Sequence, residues 1–400
     1  MKNRILASCV VAVTLLCGHP FFAFAAPSSF KIVSSLPKTG SANGQATSIA
    51  NGIRLAIQEV HGEIDGTPVL YEDWDDASPA RGQWDPAVEA ANADKAIQDP
   101  SVVAYIGPYN SGAAKISMPK LNQAGLLQIS PSATWPGLTK PGVGEPNEPM
   151  IYRPAGKPTF FRVVPADDLQ GDVGAKWAQE LGALKLFILH DGELYGKGVA
   201  SVFKKSAEKL GLSVLGFDKI DPKASNFRSL AVRIKQSAPD LVYFGGTTQT
   251  GAGQLAKDLK AAGVKAKFMA PDGCFENSFI ESAGKEVLEE NVFITFGGVP
   301  TKELKGNGKV FYEAYKKTYN TEPEGYAVYG YESAKVVLAA IQRASTRDRS
   351  GVIAAMKDTK DFPGALGTWS FDENGDTSVK MMSGNTVKNG EFVLVKILGQ

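Results

Sequence analysis

The sequence predicts an α/β protein of two lobes, each a mostly parallel sheet with helices on both faces. Three observations lead there. Short apolar runs rich in β-branched residues alternate with amphipathic helical patterns along most of the chain, which is the sign of a parallel sheet. The alternation stops at Trp135–Thr159, a stretch with six prolines and four glycines, and then restarts. About 375 residues remain once a leader is removed, and that length suits two cores rather than one.

The leader comes first. Lys2 and Arg4 precede the apolar run Ile5–Leu16, and Ala23-Phe24-Ala25 fits the small-x-small cleavage rule. Residues 1–25 are therefore expected to be a cleaved signal peptide. Leu16 stands before Cys17, where a lipoprotein signal needs a small residue. Without Lys2 and Arg4 there are 41 basic residues against 42 acidic ones, a balance that argues against a nucleic-acid surface. Cys274 is the one cysteine beyond the leader, so no intrachain disulfide is available. His61 and His190 are the only histidines left, too few for a His-rich metal site.

Phe30–Leu36 reads as the first strand, and Ile49, Ile53, Ala56, Ile57 and Val60 mark one face of the first helix. Val69–Trp74 is a strand ending in the acidic run Asp73–Asp76; three acids there read as a solvated edge more readily than as a cation site. Ala87–Ile97 is a helix. Val102–Ile106 and Leu126–Ile129 are strands, each broken by a Gly-Pro or Ser-Pro pair and followed by a helix-start pattern. Beyond the excursion come strands at Phe160–Val164, Leu184–Leu189, Ser213–Phe217, Leu241–Phe244, Phe268–Ala270 and Val292–Phe296. The intervening helices are Leu169–Leu181, Gly198–Leu210, Phe227–Ser237 and Gln254–Ala262. Val310–Tyr319, Tyr326–Ala344 and Val352–Met356 are helices, and Thr368–Phe371, Val379–Thr386 and Phe392–Ile397 are β structure.

Catalytic signatures are missing from the sequence. No G-x-S-x-G elbow, Walker loop, H-E-x-x-H or G-x-G-x-x-G is present. The residues just beyond strand ends form a different set, and ligands in open parallel sheets sit there. Ser111, Ser132 and Thr134 offer hydroxyls and helix-start N–H groups suited to an anion, or they serve simply as helix caps. Tyr195, Thr247 and Asp272 follow strands of the second lobe. Asp272 ends an apolar run, where a carboxylate needs a cation to stay ionised cheaply; the plainer reading is a Pro-Asp-Gly turn. An anion clamp facing an acid with an aromatic suits a zwitterion such as an α-amino acid. No metal and no cofactor is called for.

Several segments together resemble the periplasmic substrate-binding proteins of branched-chain amino acid ABC transporters, the leucine/isoleucine/valine-binding type. They are the Leu36–Gly40 loop with Asn51-Gly52, Tyr105-Ile106-Gly107-Pro108 to Ser111, and Ile129-Ser130-Pro131-Ser132-Ala133-Thr134. In the second half they are His190-Asp191 with Tyr195-Gly196, Val242–Gly246, and Phe268–Gly273. The resemblance implies a type I periplasmic-binding-protein clamshell with three crossovers. It implies lobes of 26–163 plus 297–367 and of 164–296 plus 368–400. It implies a ligand carboxylate held at Ser111, Ser132 and Thr134, an ammonium at Asp272, and closure by Tyr195 and Thr247. Asp272 stands where leucine-type members often have Glu, Thr247 where an aromatic is common, and Gln45 where some place an aromatic. The Trp135–Thr159 segment is also longer than in short members.

The expected function is capture of an amino acid, branched-chain or similar aliphatic, and its delivery to the permease subunits of an ABC importer by a periplasmic monomer. An aromatic acid or a short amide or urea would suit the same fold, as would a ligand-sensing partner of a membrane protein. A periplasmic hydrolase is the rival from another class, and the missing nucleophile–base signature speaks against it.

Overall fold

The computed structural model describes residues 28–399; the expected signal peptide and its cleavage site lie outside the described residues. Two sheets carry the architecture. The first has six strands in the order Glu63–Ile64, Thr67–Asp75, Phe30–Leu36, Val102–Ile106, Leu127–Ser130, Phe160–Arg162. Its pairings are parallel except for that of the short Glu63–Ile64 strand. The second has seven, in the order Ser213–Lys219, Lys185–His190, Leu241–Gly245, Lys267–Ala270, Val292–Gly297, Met382–Lys388, Glu391–Leu398. Its first five strands run parallel and the last two are added antiparallel.

In each sheet the chain enters at an interior strand and winds outward both ways. Phe30–Leu36 lies between Thr67–Asp75 and Val102–Ile106, and Lys185–His190 lies between Ser213–Lys219 and Leu241–Gly245. These reversals open a crevice beyond the carboxyl ends of the strands. The chain passes between the sheets three times: after Arg162, after Gly297, and between Trp369 and Met382.

The periodicities explain the packing. Helix Asn43–Glu59 buries Ile49, Ile53, Ala56 and Ile57, the face its 3.6-residue period predicts. It lies against Ala327–Arg343, whose buried residues surround the helix. The two approach closely because glycines face the contact. A Cβ on Gly52 would stand 2.2 Å from the Ala327 carbonyl oxygen, and one on Gly330 would stand 2.4 Å from that of Ile49. Apolar clusters fill the interior of both lobes, with single acids such as Glu89 and Glu332 buried among them, and Cys274 is buried and free. Among the described residues no helix is long and apolar enough to cross a membrane.

Three local features differ from the sequence reading. Leu127–Ser130 is not followed by an α-helix; the chain enters a single 3₁₀ turn, Pro136–Leu138, because Ser130 Oγ takes the Ser132 and Ala133 N–H groups, Ser111 Oγ takes that of Trp135, and prolines recur beyond. Helix Leu194–Lys209 begins four residues earlier than expected, so Tyr195 lies in its first turn. A small hairpin pairs Ala77–Ser78 with Gln83–Trp84; strands of two residues carry no readable period.

The proline-rich excursion is folded around one carboxylate. Buried Glu148 accepts from Trp135 Nε1 at 2.9 Å, from the Glu145 N–H at 2.8 Å and from the Tyr152 hydroxyl. Arg162, fully buried, anchors the same region. Its Nε is 2.7 Å from Asp376, and its Nη1 donates to the Trp135 carbonyl at 2.8 Å and the Ala133 carbonyl at 3.2 Å. One guanidinium thus joins the edge of the first sheet, the excursion and the third passage between lobes.

Candidate functional site

The two crevices face each other and enclose a small cavity. Tyr109, Asn110, Ser111 and Ser132 line it from the first sheet, Tyr195, Thr247, Asp272 and Gly273 from the second, and Tyr326 from the start of a helix between them. Five of the six residues singled out in the sequence therefore meet in one place. Thr134 is the exception: it is buried just behind the wall, with its hydroxyl unpartnered and its carbonyl accepting the Asp167 N–H at 3.0 Å.

The first-sheet wall follows from local sequence. The Gly107-Pro108 break ends the Val102–Ile106 strand, and Ser111 then opens helix Ser111–Gln123. Its first N–H groups lack intrahelical partners and its macrodipole is positive there. Ser111 Oγ accepts the Trp135 N–H at 3.2 Å, which leaves its own proton free to donate. Ser132 is committed differently, its Oγ donating to the Tyr109 carbonyl at 3.0 Å. The expected pair of anion-facing helix starts is thus reduced to one, at Ser111.

The second-sheet wall is acidic and aromatic. Asp272 follows strand Lys267–Ala270 and is 3 % exposed. Its partners are two phenols rather than a Lys or Arg: Tyr195 donates to Oδ1 at 2.7 Å, and Tyr326 donates to Oδ2. Burial pushes its carboxyl up to about 6, with the Tyr195 hydrogen bond pulling the other way. The Tyr195 oxygen also accepts the Gly273 N–H at 3.0 Å. A Cβ on Gly273 would stand 2.9 Å from Thr247 Cγ2 and 3.0 Å from the Tyr195 ring, so a larger residue there would shift both walls of the site. Thr247 is held by its neighbour: the Thr247 N–H donates to Thr250 Oγ1 at 3.0 Å, and that hydroxyl donates to Asp191 at 2.9 Å. Asp191 is itself buried, which raises its carboxyl to about 7.

Two contributors escaped the sequence reading. Asp167 opens helix Asp167–Glu180 directly after the first passage between lobes. Its carboxylate is fully buried, neither oxygen has a partner, and burial and the nearby Asp272 charge push its pKa well up. Tyr326 precedes helix Ala327–Arg343, where the sequence predicts only the start of a helix. Gln45, at a position where the resemblance implies that some members place an aromatic, crosses the cleft: its Nε2 donates to the Phe275 carbonyl at 3.1 Å while Oε1 stays buried without a partner.

The enclosed volume is about 20 Å³, room for a water molecule. Anything larger enters by parting the two walls. A larger cavity, about 1150 Å³, lies across the first lobe between Ser29, Pro100 and Arg349, far from the crevice. The acidic run does not converge on the cleft. Asp73 pairs with Lys38 and Arg54 at 2.9 Å, and Asp75 accepts the Lys38 N–H at 2.8 Å. Among the described residues no cluster of His, Cys, Asp and Glu is placed to hold a metal ion.

Comparison with known proteins adds to this geometry. Residues 29–391 match the family profile described as periplasmic binding protein. The chain is 30 % identical over 344 residues to the Leu/Ile/Val-binding protein homolog 1 of Brucella abortus, covering 85 % of each. It superposes on the leucine binding protein LivK of Thermotoga maritima with a TM-score of 0.81 at 25 % identity, covering 92 % of this chain and 99 % of that one. With LivJ of Streptococcus pneumoniae, solved in complex with isoleucine, the TM-score is 0.79 at 25 % identity, covering 93 % and 99 %.

Proposed function

The chain belongs to the periplasmic binding protein family, and from that premise we propose that it captures an amino acid, branched-chain or similar aliphatic, and delivers it to an ABC importer. The observation that carries this reading is the pairing, across one cleft, of a serine-led helix start with a buried carboxylate that has no cation of its own. An α-amino acid supplies both missing charges. Its carboxylate accepts hydrogen bonds from the Ser111 hydroxyl and the helix-start N–H groups. Its ammonium replaces the phenol protons as the partner of Asp272, with Asp167 and Thr134 close behind. The names of the similar proteins, which refer to leucine, isoleucine and valine, support an aliphatic side chain.

The work is binding rather than catalysis. Parting the lobes admits the ligand, and closing them buries its charges between walls that already carry complementary groups. The bending sites are the three passages between sheets, with lobes of 26–163 plus 297–367 and of 164–296 plus 368–400. Ligand shifts an open–closed equilibrium by its greater affinity for the closed form. The closed surface, in which both lobes present one face, is what permease subunits recognise. The working form is a monomer in the periplasm.

The test is a ligand screen on protein unfolded and refolded to strip carried-over ligand. At about 100 times its dissociation constant a ligand stabilises by roughly 2.7 kcal/mol. Stabilisation by leucine, isoleucine or valine is the expected result. Stabilisation by benzoate-type acids or short amides alone would keep the clamshell and overturn the amino-acid assignment.

A further inference from the structure

We infer that Trp84 is a specificity-determining residue: its indole forms the end wall that limits the length of the bound side chain. The inference rests on the amino-acid reading above. Beyond Ser111 and Tyr195 a second small space, about 10 Å³, adjoins the first. The two share Asn110, Ser111, Tyr195 and Thr247 as walls. A ligand whose charged groups occupy the first space therefore extends into the second. There it meets Gln83 and Trp84 from the first lobe and Asp191 and Glu193 from the second.

The indole is built into place. Trp84 is 6 % exposed, and its two-residue strand pairs with Ala77–Ser78. Ser78 Oγ donates to Asp85 at 2.7 Å, and Asp85 caps helix Pro86–Gln98 through the Ala87 N–H at 2.8 Å. The ring lies against the bare backbone of Gly112, one residue into the anion-facing helix. A Cβ there would stand 2.6 Å from the indole. Arg81, at the hairpin tip, lies 5.4 Å from the ring centre and 3.7 Å from Glu193 of the opposite lobe. Trp84 is thus fixed relative to Ser111, the group that positions the ligand carboxylate, so the distance between them acts as a ruler. No Lys or Arg lines either space, so an acidic side chain finds no cation there, and Asp191 and Glu193 already have partners in Thr250 and Arg81. The ligand class that fits is a short, neutral amino acid.

The experiment measures dissociation constants by calorimetry for alanine, valine, leucine, methionine, phenylalanine and glutamate, on the wild-type chain, Trp84→Ala and Trp84→Phe. The expected result is a change in rank order. Trp84→Ala loses at least tenfold for the best wild-type ligand and gains at least tenfold for phenylalanine relative to it; Trp84→Phe lies between. Constants that move by one common factor, or not at all, would overturn the inference while leaving the amino-acid reading intact. If no amino acid binds the folded wild-type chain, both fail together. Tight binding of glutamate by the wild type would overturn the neutral-ligand assignment alone.

Discussion

Asp272 concentrates the chemistry at the scale of one residue. Replacing it by Ala leaves a buried ammonium unpaired, and the expected loss is on the order of 2–5 kcal/mol of binding free energy. Unchanged affinity would remove its role. The pH dependence follows from the same group. Binding an ammonium requires the ionised carboxylate, and burial holds that carboxyl at about 6 in the ligand-free protein. Affinity should be flat above pH 7 and fall by about tenfold per pH unit well below 6, because each binding event must then displace a proton. Calorimetry from pH 4.5 to 8 checks this, and Asp272→Asn should flatten the profile. Ser111 and Asp272 were legible because each follows an apolar run at a Gly- or Pro-marked break. Asp167, Tyr326 and Trp84 were not. They reach the cleft from a passage between lobes, a helix start and a two-residue strand, and nothing local in the sequence says which way those face.

The longer elements show how closure is shaped. Helix Leu194–Lys209 carries Tyr195 in its first turn and meets the excursion from the other lobe at Gly198. A Cβ on Gly198 would stand 2.4 Å from the Trp135 ring, which is itself pinned by Glu148 at 2.9 Å. Gly198→Ala should hold the lobes apart and weaken ligand binding by about tenfold, or about 1.4 kcal/mol. The ligand-free melting temperature should hold or rise, since Ala favours a helix interior over Gly by about 1 kcal/mol. A lowered melting temperature with unchanged affinity would contradict this. Strands and long helices were readable from their periods to within a few residues. The excursion was not, because its order comes from Glu148 and Arg162 rather than from any repeat, and Tyr195 looked like a loop residue because its helix begins without a capping side chain.

For the whole molecule, buried acids set the response to pH. Burial pushes Asp272 and Glu332 up to about 6, and Asp191, Glu89 and Glu276 up to about 7. Each has a folded pKa above its unfolded value, so its contribution is fully present below about pH 4 and is lost as pH rises through 6 to 7. Glu72 and Asp99 work the other way. Hydrogen bonds from Lys31 lower both, Asp99 to about 2, so their contribution is lost as pH falls below about 4. Ligand-free protein should melt highest between about pH 4 and 6 and at lower temperature by pH 8. A melting temperature that climbs steadily from pH 5 to 8 would refute this balance. The two-lobe architecture was legible because the alternation stopped and restarted. The closeness of the lobes was not, since it depends on contacts such as that of Gly198 with Trp135, a glycine that looks like any other in sequence.

The late return of the chain to the second sheet bears on synthesis. Strand Val292–Gly297 has Lys267–Ala270 on one side, and its other side waits for Met382–Lys388. A chain emerging amino-terminus first therefore exposes a five-stranded parallel sheet with one long apolar edge until its final segment appears. Shortening the carboxyl end by the last two strands would leave that edge permanently open and strip Met382, Val387 and Leu398 from the cores, and the consequence is clumping together with lost stability.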